Sequence, residues 1–230
     1  MNMLQIKDVR NIFVEKYLED DFETDKSGCR LVEVLGCSFL ANEETIFGKV
    51  SHDYVKKELE WYLSQSLNVF DIPDTPKIWK QVATSEGKIN SNYGYLIFSK
   101  DNKNQYFSAK QALIDDKNTR RATMVYTRPS IQVEYNTEGM SDFICTNAVN
   151  YFIRNNRLCC IVQMRSNDIW AGYRNDYAWQ KWVLDFLCEE LQETYKNLQP
   201  GDIIWNAASL HMYERNFGLL RKYNKTGLYK

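Results

Sequence analysis

Of the six cysteines in the chain, one differs from the others in its surroundings. Cys145 lies in Ser141-Asp142-Phe143-Ile144-Cys145-Thr146-Asn147, among polar residues just ahead of a strand-like run. Cys29, Cys37, Cys159, Cys160 and Cys188 sit in or beside apolar runs, where a thiol is usually inert filling. Cys145 is therefore the candidate nucleophile, with structural filling as its competing role.

Proton transfer needs a second group, and Glu58 is the candidate. A helix turns about 100° per residue, so Glu58 falls within the arc of Tyr54, Val55, Leu59 and Tyr62, while Glu60 falls opposite, toward water. A carboxylate on an apolar, aromatic face has its ionised form destabilised and acquires a pKa suited to moving protons near neutrality. The competing reading is a helix-edge carboxylate paired with a nearby lysine.

Met164-Arg165-Ser166-Asn167-Asp168 ends a strand at a point where loops commonly build sites. The donor fork of Arg165 and the hydroxyl of Ser166 suit a phosphate, and Arg120-Arg121, ahead of another strand, form a second such pair. For either pair the alternative is a solvated surface cation. No glycine-rich phosphate loop of the GxGxxG or GxxxxGKS kind is present. From pattern alone Asp176 reads as an N-cap or first-turn acid of a long helix, and His211 and Tyr213 as groups at the polar exit of a strand.

The elements that must hold these residues follow from periodicity. Ile6, Val9, Ile12 and Phe13 share a face of a helix over about Ile6 to Leu18, and a strand follows over Leu31 to Leu40. Ser51 is the expected N-cap of the helix carrying Glu58. Further strands are expected at Tyr95 to Phe98, Ala122 to Thr127, Ser130 to Tyr135, Ala148 to Arg154, Leu158 to Arg165 and Ile203 to Ala207. Asn155-Asn156 makes a hairpin turn between two of them. A long amphipathic helix over about Asp176 to Tyr195 buries Trp179, Trp182, Val183, Phe186, Leu187 and Leu191.

At 230 residues the chain is long for one domain and short for two, and its densest turn signal, Asp71 to Pro76, is too short for a linker. One unit over residues 1–230, of α/β or α+β type, is expected. A hydrophobic fraction of 44% fills a sizeable core, and a net charge of −1 argues against a binder of nucleic acid or membrane surfaces. The N-terminus has no apolar signal region, and no run approaches the ~20 apolar residues of a spanning helix, so a soluble, cytoplasmic protein is expected. The cysteines form no CxxC pair and only His52 and His211 accompany them, which leaves no zinc pattern, no metal site and reduced thiols.

Six segments taken in order carry a resemblance. They are Glu58-Leu59-Glu60-Trp61-Tyr62, Asn90-Ser91-Asn92-Tyr93-Gly94, Gly139 to Asn147, Arg165-Ser166-Asn167-Asp168, Arg174-Asn175-Asp176-Tyr177-Ala178-Trp179-Gln180 and Ser209-Leu210-His211-Met212-Tyr213. Together they resemble the thymidylate synthase superfamily and, within it, the deoxycytidylate hydroxymethylases of T-even-type bacteriophages. The resemblance runs from about Asp25 to Asn216, and several long matches in one order form a strong signal where any one is weak. It implies a thymidylate synthase-like α+β fold, a mixed sheet backed by helices, and a homodimer packed sheet to sheet. It further implies dCMP as substrate, 5,10-methylenetetrahydrofolate as co-substrate, and the cytoplasm of a host cell as location if the chain is phage-encoded.

Carried over by position, the resemblance places Lys26, Arg165 and Ser166 at the phosphate from one chain and Arg120 and Arg121 from the other. His211 and Tyr213 match the pair that hydrogen-bonds the sugar 3′-hydroxyl. Cys145 matches the nucleophile, Glu58 the acid/base that also orders water, and Tyr93 the tyrosine near C5. Ile78 and Trp79, with Asp168, match residues lining the folate side. The implied chemistry starts with a thiolate adding at C6, which turns a pyrimidine C5 into an enamine able to attack a one-carbon unit. Cationic Arg165 beside Cys145 would favour the thiolate. An exocyclic methylene then takes hydride to give methyl, or water to give hydroxymethyl.

Departures from thymidylate synthase point to the second outcome. Ile144-Cys145-Thr146 replaces proline, cysteine and histidine, and Asp176 stands where uracil-specific members carry a base-reading asparagine. The stretch Asn224 to Lys230 ends sooner than expected for relatives whose tail closes over the site, which leaves the closure of the folate pocket open. The alternatives are a dUMP hydroxymethylase, a methylating thymidylate synthase and a CMP hydroxymethylase. From another class comes a catalytically idle nucleotide-binding subunit, against which the presence of both Cys145 and Glu58 counts.

Overall fold

A computed structural model describes residues 3–230. The chain begins β1 (Leu4–Gln5), α1 (Ile6–Leu18), β2 (Glu23–Thr24), β3 (Arg30–Leu40) and α2 (His52–Ser64). Next come α3 (Lys77–Val82), α4 (Tyr93–Phe98), α5 (Gln105–Asp115), β4 (Thr123–Val125) and α6 (Ile131–Glu134). It finishes with β5 (Thr146–Arg154), β6 (Arg157–Met164), β7 (Asn167–Asp168), α7 (Gly172–Leu191), β8 (Gln199–Tyr213) and α8 (Phe217–Thr226).

The strands form one mixed sheet in the order β1-β3-β8-β6-β5-β4, with β2 on β3 and β7 on β8. β3 runs antiparallel to β8 and β5 to β6, while β6 and β8 are parallel and joined through α7. Asn155 and Asn156 make the β5–β6 turn with φ of 49° and 59°, the left-handed pair that a two-residue hairpin demands. Alternation along the strands separates two faces. Val149, Tyr151, Cys160, Val162, Ile203 and Trp205 are buried on the face that takes α7, whose own Trp179, Val183, Leu184, Leu187 and Leu191 are buried. On the other face Asn150, Phe152, Cys159, Ile161, Ile204 and Asn206 are only half-buried.

Helix α1 and strand β3 fall where periodicity predicts; two other segments are corrected. Tyr95 to Phe98 is not a strand but most of α4, because the Asn92 side chain accepts from the Tyr95 amide and starts a helix there. Ser130 to Tyr135 is likewise a short helix, in which the Val133 and Glu134 amides both turn back to the Ser130 carbonyl. Its apparent alternation was spurious, since Val133 is 72% exposed. β8 extends well beyond the expected Ile203 to Ala207.

The long helix also starts earlier than its pattern indicates, at Gly172. Asp168 is the reason. Its Oδ1 accepts from the Trp170 and Ala171 amides at 2.7 and 3.1 Å and turns the chain into the helix. Asp176 thus lies a full turn inside α7 and is not the cap.

Candidate active site

A cavity of about 440 Å³ opens where α2, α3, the N-terminus of α4, the loop before β5, the β6–β7 turn, the start of α7 and the end of β8 meet. Glu58, Ile78, Trp79, Tyr93, Cys145, Arg165, Ser166, Asp168, Asp176, His211 and Tyr213 all line it. Lys26, Arg120 and Arg121 do not. Lys26 is exposed in the β2–β3 turn, next to the strand position where Leu31 pairs with Tyr213. Arg120 and Arg121 are exposed ahead of β4, the strand that ends the sheet order.

Helix α2 buries Glu58 to 4% exposure and leaves Glu60 to water, paired with Lys56 across one helical turn. No lysine reaches Glu58. Its Oε1 accepts from the Tyr54 hydroxyl at 2.6 Å and from the Trp79 indole N–H at 3.2 Å. Burial pushes the Glu58 carboxyl up to about 7, against the pull of those two hydrogen bonds. Tyr54 is a site residue that sequence reasoning passed over, although its place four residues before Glu58 was a usable signal.

Cys145 sits just before β5 with its sulfur 3.5 Å from Arg165 Nη2. Arg165 also grips the loop around the cysteine, donating from Nε to the Ile144 carbonyl at 3.0 Å and from Nη2 to the Phe143 carbonyl at 2.6 Å. Burial pushes the thiol up to about 11, and Arg165 draws it back down only in part. The expected influence of Arg165 is present in direction but loses to desolvation, so the resting thiol is protonated at neutral pH.

A second residue left without a role by the sequence is Asp142. Its carboxylate accepts from the Asn90 and Ser91 amides at 2.7 and 2.8 Å and from the Ser91 hydroxyl at 2.6 Å, tying the loop of the cysteine to the approach to α4. Asp176 Oδ2 accepts from the Asn167 side-chain amide at 2.7 Å. Burial, with the nearby charge of Glu58, pushes Asp176 up to about 7, opposed by hydrogen bonds from Asn167 and Tyr93. Tyr93 in turn stacks on Tyr62 with ring centroids 5.2 Å apart.

The lining combines two chemistries: Arg165, Ser166, His211 and Tyr213 bring polar groups and Ile78, Trp79, Val82 and Phe143 apolar surface, with the Arg165 guanidinium 4.6 Å from the centre of the Phe143 ring. Ile78 is 60% exposed, an apolar wall open to solvent.

The sequence model of the family described as thymidylate synthase matches residues 44–225. The deoxycytidylate 5-hydroxymethyltransferase of Enterobacteria phage T4 is 51% identical over 212 residues, covering 91% of this chain and 86% of that protein. A thymidylate synthase of Francisella tularensis subsp. holarctica is 24% identical over 73% of this chain and 64% of its own length. In fold, the thermostable thymidylate synthase A of Bacillus subtilis superposes with a TM-score of 0.69 at 19% identity, over 94% of this chain and 83% of that one. With a family match over most of its length and a half-identical relative, the chain belongs to the thymidylate synthase family.

Proposed function

We propose that the chain transfers a hydroxymethyl group to C5 of dCMP from 5,10-methylenetetrahydrofolate. It does so as a cytoplasmic homodimer whose protomer is one domain over residues 1–230. The observation that carries the choice of base is Asp176, a half-buried carboxylate facing the same cavity as Cys145 and Glu58.

Each residue has work to do. Arg165, with Nε and Nη2 committed to the cysteine loop, offers Nη1 to a phosphate beside Ser166. His211 and Tyr213 bind the sugar hydroxyl. As the base settles over Cys145, the thiol proton passes to cytosine N3 through the Asp176 carboxyl and the sulfur adds at C6, leaving C5 electron-rich. The folate supplies the one-carbon unit at C5, against the apolar wall of Ile78 and Trp79 and beside Asp168, and departs as tetrahydrofolate. Tyr93 lies near C5, whose proton leaves as the departing folate amine takes one up. Glu58, poised near neutrality, exchanges protons and orders the water that adds to the exocyclic methylene. Loss of the Cys145 sulfur from C6 restores the ring.

Support for the dimer comes from the sheet face that its own chain leaves half-buried, where Phe152, Ile161 and Ile204 lie among asparagines and glutamine. Arg120 and Arg121, exposed and outside their own cavity, would complete the phosphate site of a second copy, to which Lys26 would contribute from the first. The test offers dCMP, dUMP and CMP separately with methylenetetrahydrofolate and weighs the products. A mass gain of one hydroxymethyl on dCMP, without dihydrofolate absorbance, is expected. A methyl product with dihydrofolate, or hydroxymethylation of dUMP or CMP in preference, overturns the assignment.

A further inference from the structure

Behind the cavity wall, His211 belongs to a short chain of side chains that reaches out of the cavity. Strands β3 and β8 place Glu33 directly opposite His211, with Ser209 two residues back on the same face. The Ser209 hydroxyl hydrogen-bonds Glu33 Oε1, and the same oxygen lies 3.4 Å from His211 Nδ1.

The donors and acceptors of this chain admit one arrangement. A carboxylate has acceptors only, so the single hydroxyl proton of Ser209 goes to Glu33. The Ser209 oxygen then has only lone pairs to offer His211, and Nδ1 must carry the ring proton. Burial lowers the pKa of His211, and Arg165 lowers it further against Asp168 and Glu33, so the ring is neutral at physiological pH. A neutral ring with Nδ1 protonated has a bare lone pair at Nε2.

We infer that Glu33 and Ser209 are positioning residues that fix the tautomer of His211. They make Nε2 an obligatory acceptor, so that this corner of the cavity selects a ligand carrying a hydroxyl donor there. The inference rests on the reading that the nucleotide sugar lies against His211. A ribose or deoxyribose 3′-hydroxyl donates to Nε2; a 3′-deoxy sugar leaves that lone pair unmatched.

The tautomer is measurable without substrate. The chain has two histidines, and His52 is exposed, so the ring nitrogens of His211 are readily assigned by ¹⁵N NMR. The unsubstituted protein is expected to show the Nδ1–H form. Ser209→Ala, which removes the acceptor, and Glu33→Gln, whose amide can donate to Ser209 and free the serine proton for Nδ1, are expected to raise the Nε2–H population. In parallel, kcat/KM for dCMP is compared with that for 2′,3′-dideoxy-CMP. The preference for the hydroxyl should fall by roughly threefold to tenfold in both variants, the worth of about one hydrogen bond. An unchanged tautomer in both variants overturns the relay, whatever the kinetics. If the tautomer shifts but the unsubstituted protein never distinguished the two nucleotides, the placement of the sugar fails and the selection with it. A loss of activity in which the hydroxyl preference stays intact assigns Glu33 and Ser209 to structure alone.

Discussion

Glu58 and Asp176 share one cavity, and the charge on Glu58 opposes the ionisation of Asp176. Both are pushed up to about 7, chiefly by burial. A carboxyl held near 7 can pass a proton to cytosine N3 as sulfur addition at C6 makes that nitrogen basic, and it accepts from the amino group at C4. Asparagine, with one donor and one acceptor, meets N3–H and O4 of uracil with no change of protonation. Buried polar mismatches of this kind discriminate by ~10⁴ or more. Asp176→Asn is therefore expected to move preference from dCMP toward dUMP, with most of the change in kcat/KM. An unchanged ratio, measured for both proteins at one pH, would reduce Asp176 to a structural acid. Glu58 was legible in the sequence because its helical face could be counted. The burial of Asp176 was not, because the turn made by Asp168 starts the helix a full turn before the apolar pattern does.

Elements matter here through their ends. Asn92 is fully buried and does two jobs at once: its oxygen caps α4, and its amide donates to the Trp61 and Ser66 carbonyls at 2.9 and 2.8 Å. Those bonds tie the start of α4 to the end of α2, the helix of Glu58. Gly94 allows the close approach, since a Cβ there would stand 1.8 Å from the Tyr62 carbonyl oxygen. The apolar run from Tyr95 to Phe98 looks like a strand because neither the capping asparagine nor the crowding against Tyr62 is visible in alternation. Asn92→Asp separates the two jobs. Aspartate caps a helix as well as asparagine, so a capping role alone predicts almost no change. Loss of both donors, with a carboxylate set against two carbonyls, predicts a destabilisation of about 2–4 kcal/mol. Denaturant unfolding of the two proteins decides it, and a midpoint within error of the parent would restrict Asn92 to capping.

At the scale of the whole molecule, the strands were legible because side chains alternate with a period of two, but the cavity was assembled from segments far apart in the chain. Arg120 and Arg121 remain outside it, a distribution that makes sense if the site is completed by a second copy. In a twofold dimer each site would take Cys145 from one chain and Arg121 from the other. A dimer of an Arg121→Ala chain with a Cys145→Ser chain then has one site carrying both defects and one carrying neither. After equal mixing with free subunit exchange, half of the dimers are of this mixed kind, so roughly a quarter of all sites are intact. Activity in the mixture should therefore rise toward that fraction of the unsubstituted level, above either parent. If Arg121 served the cavity of its own chain, every site would keep one defect and mixing would restore nothing. Mixtures that stay at parental activity, with exchange verified by mass-tagged subunits, would therefore exclude the shared phosphate site.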